Sequence, residues 1–148
     1  ADLALFEKKL VLVGGYSEGD RAERYLARLR PPPNVALIGE ISEERLVDLY
    51  ARCRGFLTTA VDEDFGITPV EAMAAGKVVL ATDEGGYRET VVRGATGFLV
   101  PPTPEAFVEA IRRLDDSTLL SMRAACVARA RQFDETLFLE KMKATIAR

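Results

Sequence analysis

Two carboxylates pose the chemical question. Glu63 and Glu71 bracket the stretch EDFGITPVE, with Phe65, Gly66, Ile67, Thr68 and Pro69 between them. An ionised carboxylate only accepts hydrogen bonds, so a pair of them suits a ligand rich in hydroxyls. Gly66 lets the backbone come close to a ligand, and the residues after it read as a helix. A helix start offers unpaired amides and a positive dipole end, which together hold an anion. The run therefore reads acid, anion cradle, acid. A nucleoside diphosphate sugar has the same order: sugar hydroxyls, diphosphate, ribose hydroxyls.

Each acid also has a purely structural reading. Thr68, Pro69 and Glu71 spell a capping box, with the hydroxyl at N-cap, proline at N1 and glutamate at N3. Such a cap is worth about 1 kcal/mol. Glu63, beside Asp62 and Asp64, would be a solvated loop charge. Capping accounts for Glu71 and leaves Glu63 unexplained. The ligand reading accounts for both.

Composition narrows the chemistry. The chain has 148 residues, 48% hydrophobic and 29% charged, with a net charge of −3. That suffices for one domain with a core. It contains no histidine, which removes Ser-His-Asp triads, His-Cys pairs and histidine metal sites. Cys53 and Cys126 are far apart and fall on apolar helix positions. They read as buried free thiols of a reducing compartment, and no metal site is expected. No long basic run offers itself to nucleic acid. No apolar run reaches the roughly 18–20 residues that span a bilayer. The opening ADLALFEKKL lacks the basic head and long apolar stretch of a signal peptide. It reads as the tail of a helix entering a strand, so a piece of a longer protein is expected.

The elements that must position the acids follow from apolar runs and stop signals. Strands are expected at KLVLVGG, NVALIGE, GFLTTA, KVVLAT and TGFLV. Helices are expected at GDRAERYLARLR, SEERLVDLYARC with Ser42 as cap, Pro69 to Ala75 closed by Gly76, and GYRETVVRG. After the fifth strand the chain is all helix, first TPEAFVEAIRRL with Thr103 as cap and Pro104 at N1, then STLLSMRAACVARARQF and DETLFLEKMKATIAR. Strands alternating with helices give the expected fold class: α/β, a Rossmann-like parallel sheet with helices on both faces and a helical C-terminal tail. Ligands of such sheets bind outside the carboxyl ends of the strands. The turns at Gly14-Gly15, Gly39, Gly66 and Gly85-Gly86 are expected to gather along that edge. GGYSEGD lacks the G-x-G-x-x-G spacing of a dinucleotide site, and no Gly-Lys-Ser/Thr phosphate loop is present.

The residues now on the page resemble a known family. Phe-Gly after the first glutamate and EAMA at the second resemble the donor-binding half of retaining glycosyltransferases of the GT-B type. More narrowly, the chain resembles the group 1 glycosyltransferases, which include many mannosyltransferases. NVALIGEISEERLVDLYARC and GKVVLATDEGGYRETVVRGATGFLVPP resemble two further blocks of that family, and the likeness runs from about Lys9 to the end.

The resemblance implies roles. Glu63 is the catalytic candidate and would bond hydroxyls of the transferred sugar, while Glu71 would hold the nucleotide ribose. Phe65, Gly66, Ile67 and Thr68 would offer backbone amides to the sugar and diphosphate. The loop at Gly39, Glu40 and Ile41 would lie against the base, and Gly14 and Gly15 would line the cleft. Gly85, Gly86 and Glu89 read more simply, as a tight turn and a helix-stabilising acid. Family members carry an arginine and a lysine that meet the diphosphate, in a segment ahead of Ala1, so the source of those cations is open.

Residues 1–148 are thus expected to form the donor-binding domain, with the N-terminal acceptor domain missing. The expected reaction is transfer of a hexose, mannose foremost, from a nucleotide-diphosphate sugar to a glycan or lipid-linked acceptor. The donor would be GDP-mannose or a UDP-sugar, with no other cofactor. The full-length enzyme is expected in the cytoplasm, where peripheral association with the inner face of the membrane would suit such acceptors. Two rival readings share the fold: a non-catalytic nucleotide-binding or interaction module, and a sugar-nucleotide epimerase.

Overall fold

A computed structural model of the chain describes residues 8–14, 24, 25 and 28–147. The expected helix GDRAERYLARLR falls largely outside the described residues, as does Gly15. The chain divides into two compact units, Ala1–Asp48 and Leu49–Arg148.

In the first unit, β1 (Leu10–Leu12) pairs in parallel with β2 (Val35–Leu37), Leu10 opposite Val35 and Leu12 opposite Leu37. The sequence suggests a buried first strand, yet Leu10 and Leu12 are more than a third exposed. Among the described residues, β1 is a short edge strand paired on one side. Gly14 follows β1, and its amide bonds the carbonyl of Gly39 after β2 at 3.0 Å. The carboxyl ends of both strands therefore meet at a glycine turn. Helix α1 (Glu43–Arg52) begins where expected. Glu43 and Glu44 sit in its first turn, and Ser42 Oγ accepts from the Arg45 amide at 3.4 Å.

The second unit contains a three-stranded parallel sheet in the order β3 (Gly55–Thr58), β4 (Val78–Thr82), β5 (Gly97–Val100). The five expected strands are all present, divided between two parallel sheets. All five residues of β4 are buried, as a central strand covered on both faces requires. Val79 and Ala81 belong to a core cluster with Ala72 and Met73 of α2 (Ile67–Ala74) and Cys126 and Ala130 of a later helix, α5 (Asp116–Ala130). Leu80 belongs to a separate cluster with Phe107 and Ala110 of α4 (Pro104–Arg113). Leu80 thus points to a different cluster from its neighbours Val79 and Ala81, and helices cover both faces.

Between β4 and β5 lies one turn of helix, α3 (Tyr87–Thr90), which gives way to extended backbone at Val91. The expected GYRETVVRG helix is shorter than its sequence suggests. Val91, Tyr87 and Thr90 are instead buried in or beside the core. Helix α4 is capped as read: Thr103 Oγ1 accepts from the Ala106 amide, with Pro104 at N1. Helix α5 is capped by Asp115, which accepts from the Thr118 amide at 2.7 Å. A 3-10 turn (Arg131–Phe133) then leads to α6 (Glu135–Ile146), capped by Asp134.

Cys126 is fully buried, and Cys53, just past α1, is half-buried. Burial pushes the Cys126 thiol up to about 11. The thiolate is the reactive form, so at pH 8 this sulfur is a protonated, enclosed thiol. We expect Cys126 to escape a disulfide-forming thiol reagent in the native protein and to react on unfolding in denaturant. Labelling followed by peptide mass spectrometry checks this. Modification of native Cys126 at the rate of free cysteine would contradict the packing described.

Candidate functional site

The site is built where the chain leaves β3 and β4. Thr58, the last residue of β3, shares a 2.8 Å hydrogen bond with the buried Tyr87 hydroxyl, and Thr82, the last of β4, donates to the Ala60 carbonyl at 2.7 Å. These bonds draw together the two loops that leave the carboxyl ends of neighbouring strands. The Asp62 amide bonds Glu84 Oε1 at 2.7 Å, and Asp62 itself has φ 60. A non-glycine residue in that region costs conformational energy, and such residues concentrate at functional loops. The Gly86 amide then bonds the Glu63 carbonyl at 2.8 Å.

Gly85 and Gly86 are more than a tight turn. A methyl group at Gly86 would overlap the Cα of Phe65, and one at Gly85 the carbonyl of Glu63. The two loops touch backbone to backbone, which only glycine permits. Gly66 is the other constrained glycine. It has φ 83, and a Cβ there would stand 2.8 Å from the Tyr87 ring.

This geometry corrects the capping box. Helix α2 begins at Ile67, two residues before the expected Pro69, and its N-cap is Gly66 with no side-chain cap. Thr68 and Pro69 are the second and third helical residues, so Glu71 lies too far along to reach back. The left-handed glycine turns the chain early, a feature the Thr-Pro-x-Glu pattern cannot report. The acid that bonds the helix tip is Glu63, whose Oε1 accepts from the Gly66 amide at 3.0 Å. The expectation of a merely solvated Glu63 is likewise set aside. Glu71 accepts from the Tyr50 hydroxyl through Oε2 at 3.1 Å.

The other singled-out residues fall as follows. Phe65 is 41% exposed and sets its ring edge-on against Phe133 at 5.6 Å. Arg129 lies over the other ring of that pair, 4.8 Å from the Phe133 centroid, and bonds the carbonyls of Thr90 and Glu89. Ile67 and Thr68 are exposed at the tip of α2. The second unit thus brings Glu63, Phe65, Gly66, Ile67, Thr68 and Glu71 to one helix and the loop feeding it. In the first unit, Gly14 and Gly39 meet at the strand ends and Ile41 is half-buried.

Asp62, Glu63, Asp64, Gly85, Gly86, Arg88 and Glu89 line a cleft of about 450 Å³. Four acids face one arginine there. Arg88 also lines a second cavity of about 630 Å³ with Arg93, Arg129 and Asp83. Those arginines are engaged: Arg88 Nε and Arg93 pair with Asp83, and Arg93 also donates to the Leu99 carbonyl at 2.7 Å. Hydrogen bonds from Arg88 and then Arg93 hold the Asp83 carboxyl below the usual carboxylate range. Among the described residues, no cluster of His, Cys, Asp and Glu could hold a metal ion. No helix among them is long and apolar enough to cross a membrane.

An α/β unit with an exposed helix tip at the carboxyl edge of its sheet is a ligand-binding architecture. Comparison with known proteins gives it a family. Residues 6–133 match the model of the glycosyl transferases group 1, and the chain belongs to that family. It is 34% identical over 141 residues to the alpha-1,3/1,6-mannosyltransferase ALG2 of Dictyostelium discoideum, covering 87% of this chain and 33% of that protein. To the human protein of the same name it is 31% identical over 144 residues, covering 90% and 35%. Among solved structures, the sucrose-phosphate synthase of Thermosynechococcus elongatus matches with a TM-score of 0.82 at 28% identity, covering 94% of this chain and 38% of that one. Anabaena Alr3699/HepE, in complex with UDP, matches with 0.83 at 26% identity, covering 97% and 43%. The chain spans about a third of the length of the curated relatives it matches. The family read from the sequence is the one found.

Two outcomes test the geometry. Gly86→Ala should cost about 1–3 kcal/mol by overpacking, read as a lowered urea midpoint. An unchanged midpoint would mean the loops are not in backbone contact. For Asp83, a lowered carboxyl pKa adds stability above the ordinary carboxylate range of about 3.9, and that stability is lost as pH falls through the folded value. Asp83→Asn should therefore lower the urea midpoint at pH 7 and flatten its fall toward pH 3.

Proposed function

We propose that this chain is the donor-binding domain of a retaining glycosyltransferase whose acceptor domain belongs to another part of the longer protein. The reaction proposed is transfer of a hexose, mannose foremost, from a nucleotide-diphosphate sugar to a glycan or lipid-linked acceptor. The observation that carries this reading is the Glu63 carboxylate, held at the left-handed glycine tip of α2 on the wall of an acid-lined cleft. Family membership and the mannosyltransferase names of the relatives support it.

The charge of the cleft divides the ligand. Four acids against one arginine repel a diphosphate and suit a neutral ring that donates several hydroxyl hydrogen bonds. The sugar is therefore assigned to this cleft, with Glu63 accepting from its hydroxyls. One oxygen of Glu63 already accepts from Gly66, which fixes the side chain and leaves the other for the ligand. The diphosphate is assigned to the first-turn amides of α2, those of Ile67 and Thr68, with Phe65 and Gly66 presenting backbone beside them. Glu71, further along the helix, is assigned to the ribose.

These residues bind and orient. Holding the anomeric carbon in place and bonding the sugar hydroxyls lowers the barrier by positioning. Charge growing on the leaving diphosphate is met by the helix dipole. Among the described arginines of the second cavity, Arg88, Arg93 and Arg129 are committed to Asp83 and to backbone carbonyls, so further cations are assigned to the rest of the protein.

Calorimetric titration of the full-length protein tests the assignment. GDP-mannose and UDP-glucose serve as nucleotide sugars, and GDP and UDP as their bare nucleotides. Glu63→Ala should weaken the nucleotide sugar by roughly tenfold or more, the scale of one charge-assisted hydrogen bond, and change the bare nucleotide less than about twofold. Equal weakening of both, or of neither, would remove Glu63 from the sugar site.

A further inference from the structure

We propose that Tyr50 is a positioning residue for Glu71, holding its carboxylate ready for the ribose diol of the donor. The proposal rests on the assignment of Glu71 to the ribose and adds a residue that the acidic motif does not contain.

Glu71 is the fifth residue of α2 and is exposed. A free glutamate in that position samples many rotamers, and fixing one on binding costs conformational entropy. Here the carboxylate is already held, because the Tyr50 hydroxyl donates to Oε2 at 3.1 Å. A phenol has one proton to donate and a carboxylate about four lone-pair sites. The bond therefore occupies part of one oxygen and leaves Oε1 open to hydroxyl donors.

Tyr50 is itself well anchored. Its ring tilts against Phe56, with centroids 6.0 Å apart. Its carbonyl accepts from Cys53 Sγ at 3.4 Å, and the carbonyl of the next residue, Ala51, accepts from Lys77 Nζ at 2.8 Å. Lys77 is the last residue of the link from α2 to β4, so the end of α1 is also tied to the segment that follows the helix carrying Glu71. Burial first, and then Glu71, push the phenol proton well above its ordinary range. Tyr50 therefore keeps its proton and remains a donor throughout the neutral range.

A bond that only tied α1 to α2 would affect every ligand of the domain alike. A positioning bond affects the ribose alone. The test uses the full-length protein as wild type, Tyr50→Phe and Glu71→Ala. Each is titrated with GDP and UDP and with their dideoxyribose counterparts, alongside thermal melts. Tyr50→Phe removes one oxygen and keeps the ring against Phe56. It should weaken the ribonucleotides roughly three- to tenfold, the scale of one hydrogen bond, and the dideoxy forms less than about twofold. Equal weakening of both forms, or of neither, with Glu71→Ala still selective against the ribose, overturns the role of Tyr50 and leaves Glu71 in place. If Glu71→Ala fails to separate the two forms, or wild type binds none of the four at millimolar concentration, the ribose assignment falls and this proposal with it.

Discussion

The backbone of Gly86 rests on the backbone of Phe65, and its amide bonds the carbonyl of Glu63. Much of the site follows from that contact. It fixes the loop leaving β3 against the loop leaving β4, at the edge where parallel sheets bind ligands. With the loop fixed, Glu63 reaches the Gly66 amide, and Gly66 turns the chain in the left-handed sense into α2. Tyr87, directly after Gly86, fills the space under Gly66 and ties its hydroxyl to the end of β3. A side chain at either Gly86 or Gly66 would push against atoms that cannot yield, because they are backbone or a buried ring.

The electrostatics of this edge are unbalanced, and the imbalance is informative. A helix tip attracts anions, yet the nearest side chains in the cleft are largely acidic. A free anion approaching through the cleft would be repelled. A molecule whose neutral, hydroxyl-rich end enters the cleft while its charged part remains at the tip satisfies both fields. Arg88, Arg93 and Arg129 carry charge of the sign that would relieve the acidity. Their guanidinium groups are instead spent on Asp83 and on the carbonyls of Asp83, Thr90, Glu89 and Leu99, which hold the turn after β4 and the end of α3 in place.

Much of the architecture was legible in local pattern. The five apolar runs became five parallel strands, and Thr103-Pro104 capped α4 as written, because caps and burial of this kind depend on residues within a few positions of each other. What the pattern missed was non-local or conformational. The start of α2 was misplaced because a left-handed glycine outcompeted a well-formed Thr-Pro-x-Glu signature. Glu71 lost its reading as a cap to Tyr50, 21 positions away and indistinguishable in sequence from any aromatic on an amphipathic helix. The pair Gly85-Gly86 was visible, but the backbone it leans on was not. The shortness of α3 was likewise set by tertiary packing, since Val91 is drawn into the core rather than kept in the helix.

The arrangement also accounts for what the acidic motif can and cannot specify. A helix rises 1.5 Å per residue, so about five residues from Gly66 to Glu71 hold the second acid roughly 7–8 Å along the axis from the tip that Glu63 touches. Rigid secondary structure, braced at one end by Gly86 and at the other by Tyr50, sets that spacing. On the assignment proposed above, a fixed spacing between two hydroxyl acceptors, with the anion at the helix tip between them, would select a ligand by length and by the order of its groups. It is indifferent to the configuration of any single hydroxyl. On that same assignment, the identity of the sugar would depend on the side chains around the cleft rim, Asp62, Asp64 and Glu89 among them, which lie outside α2.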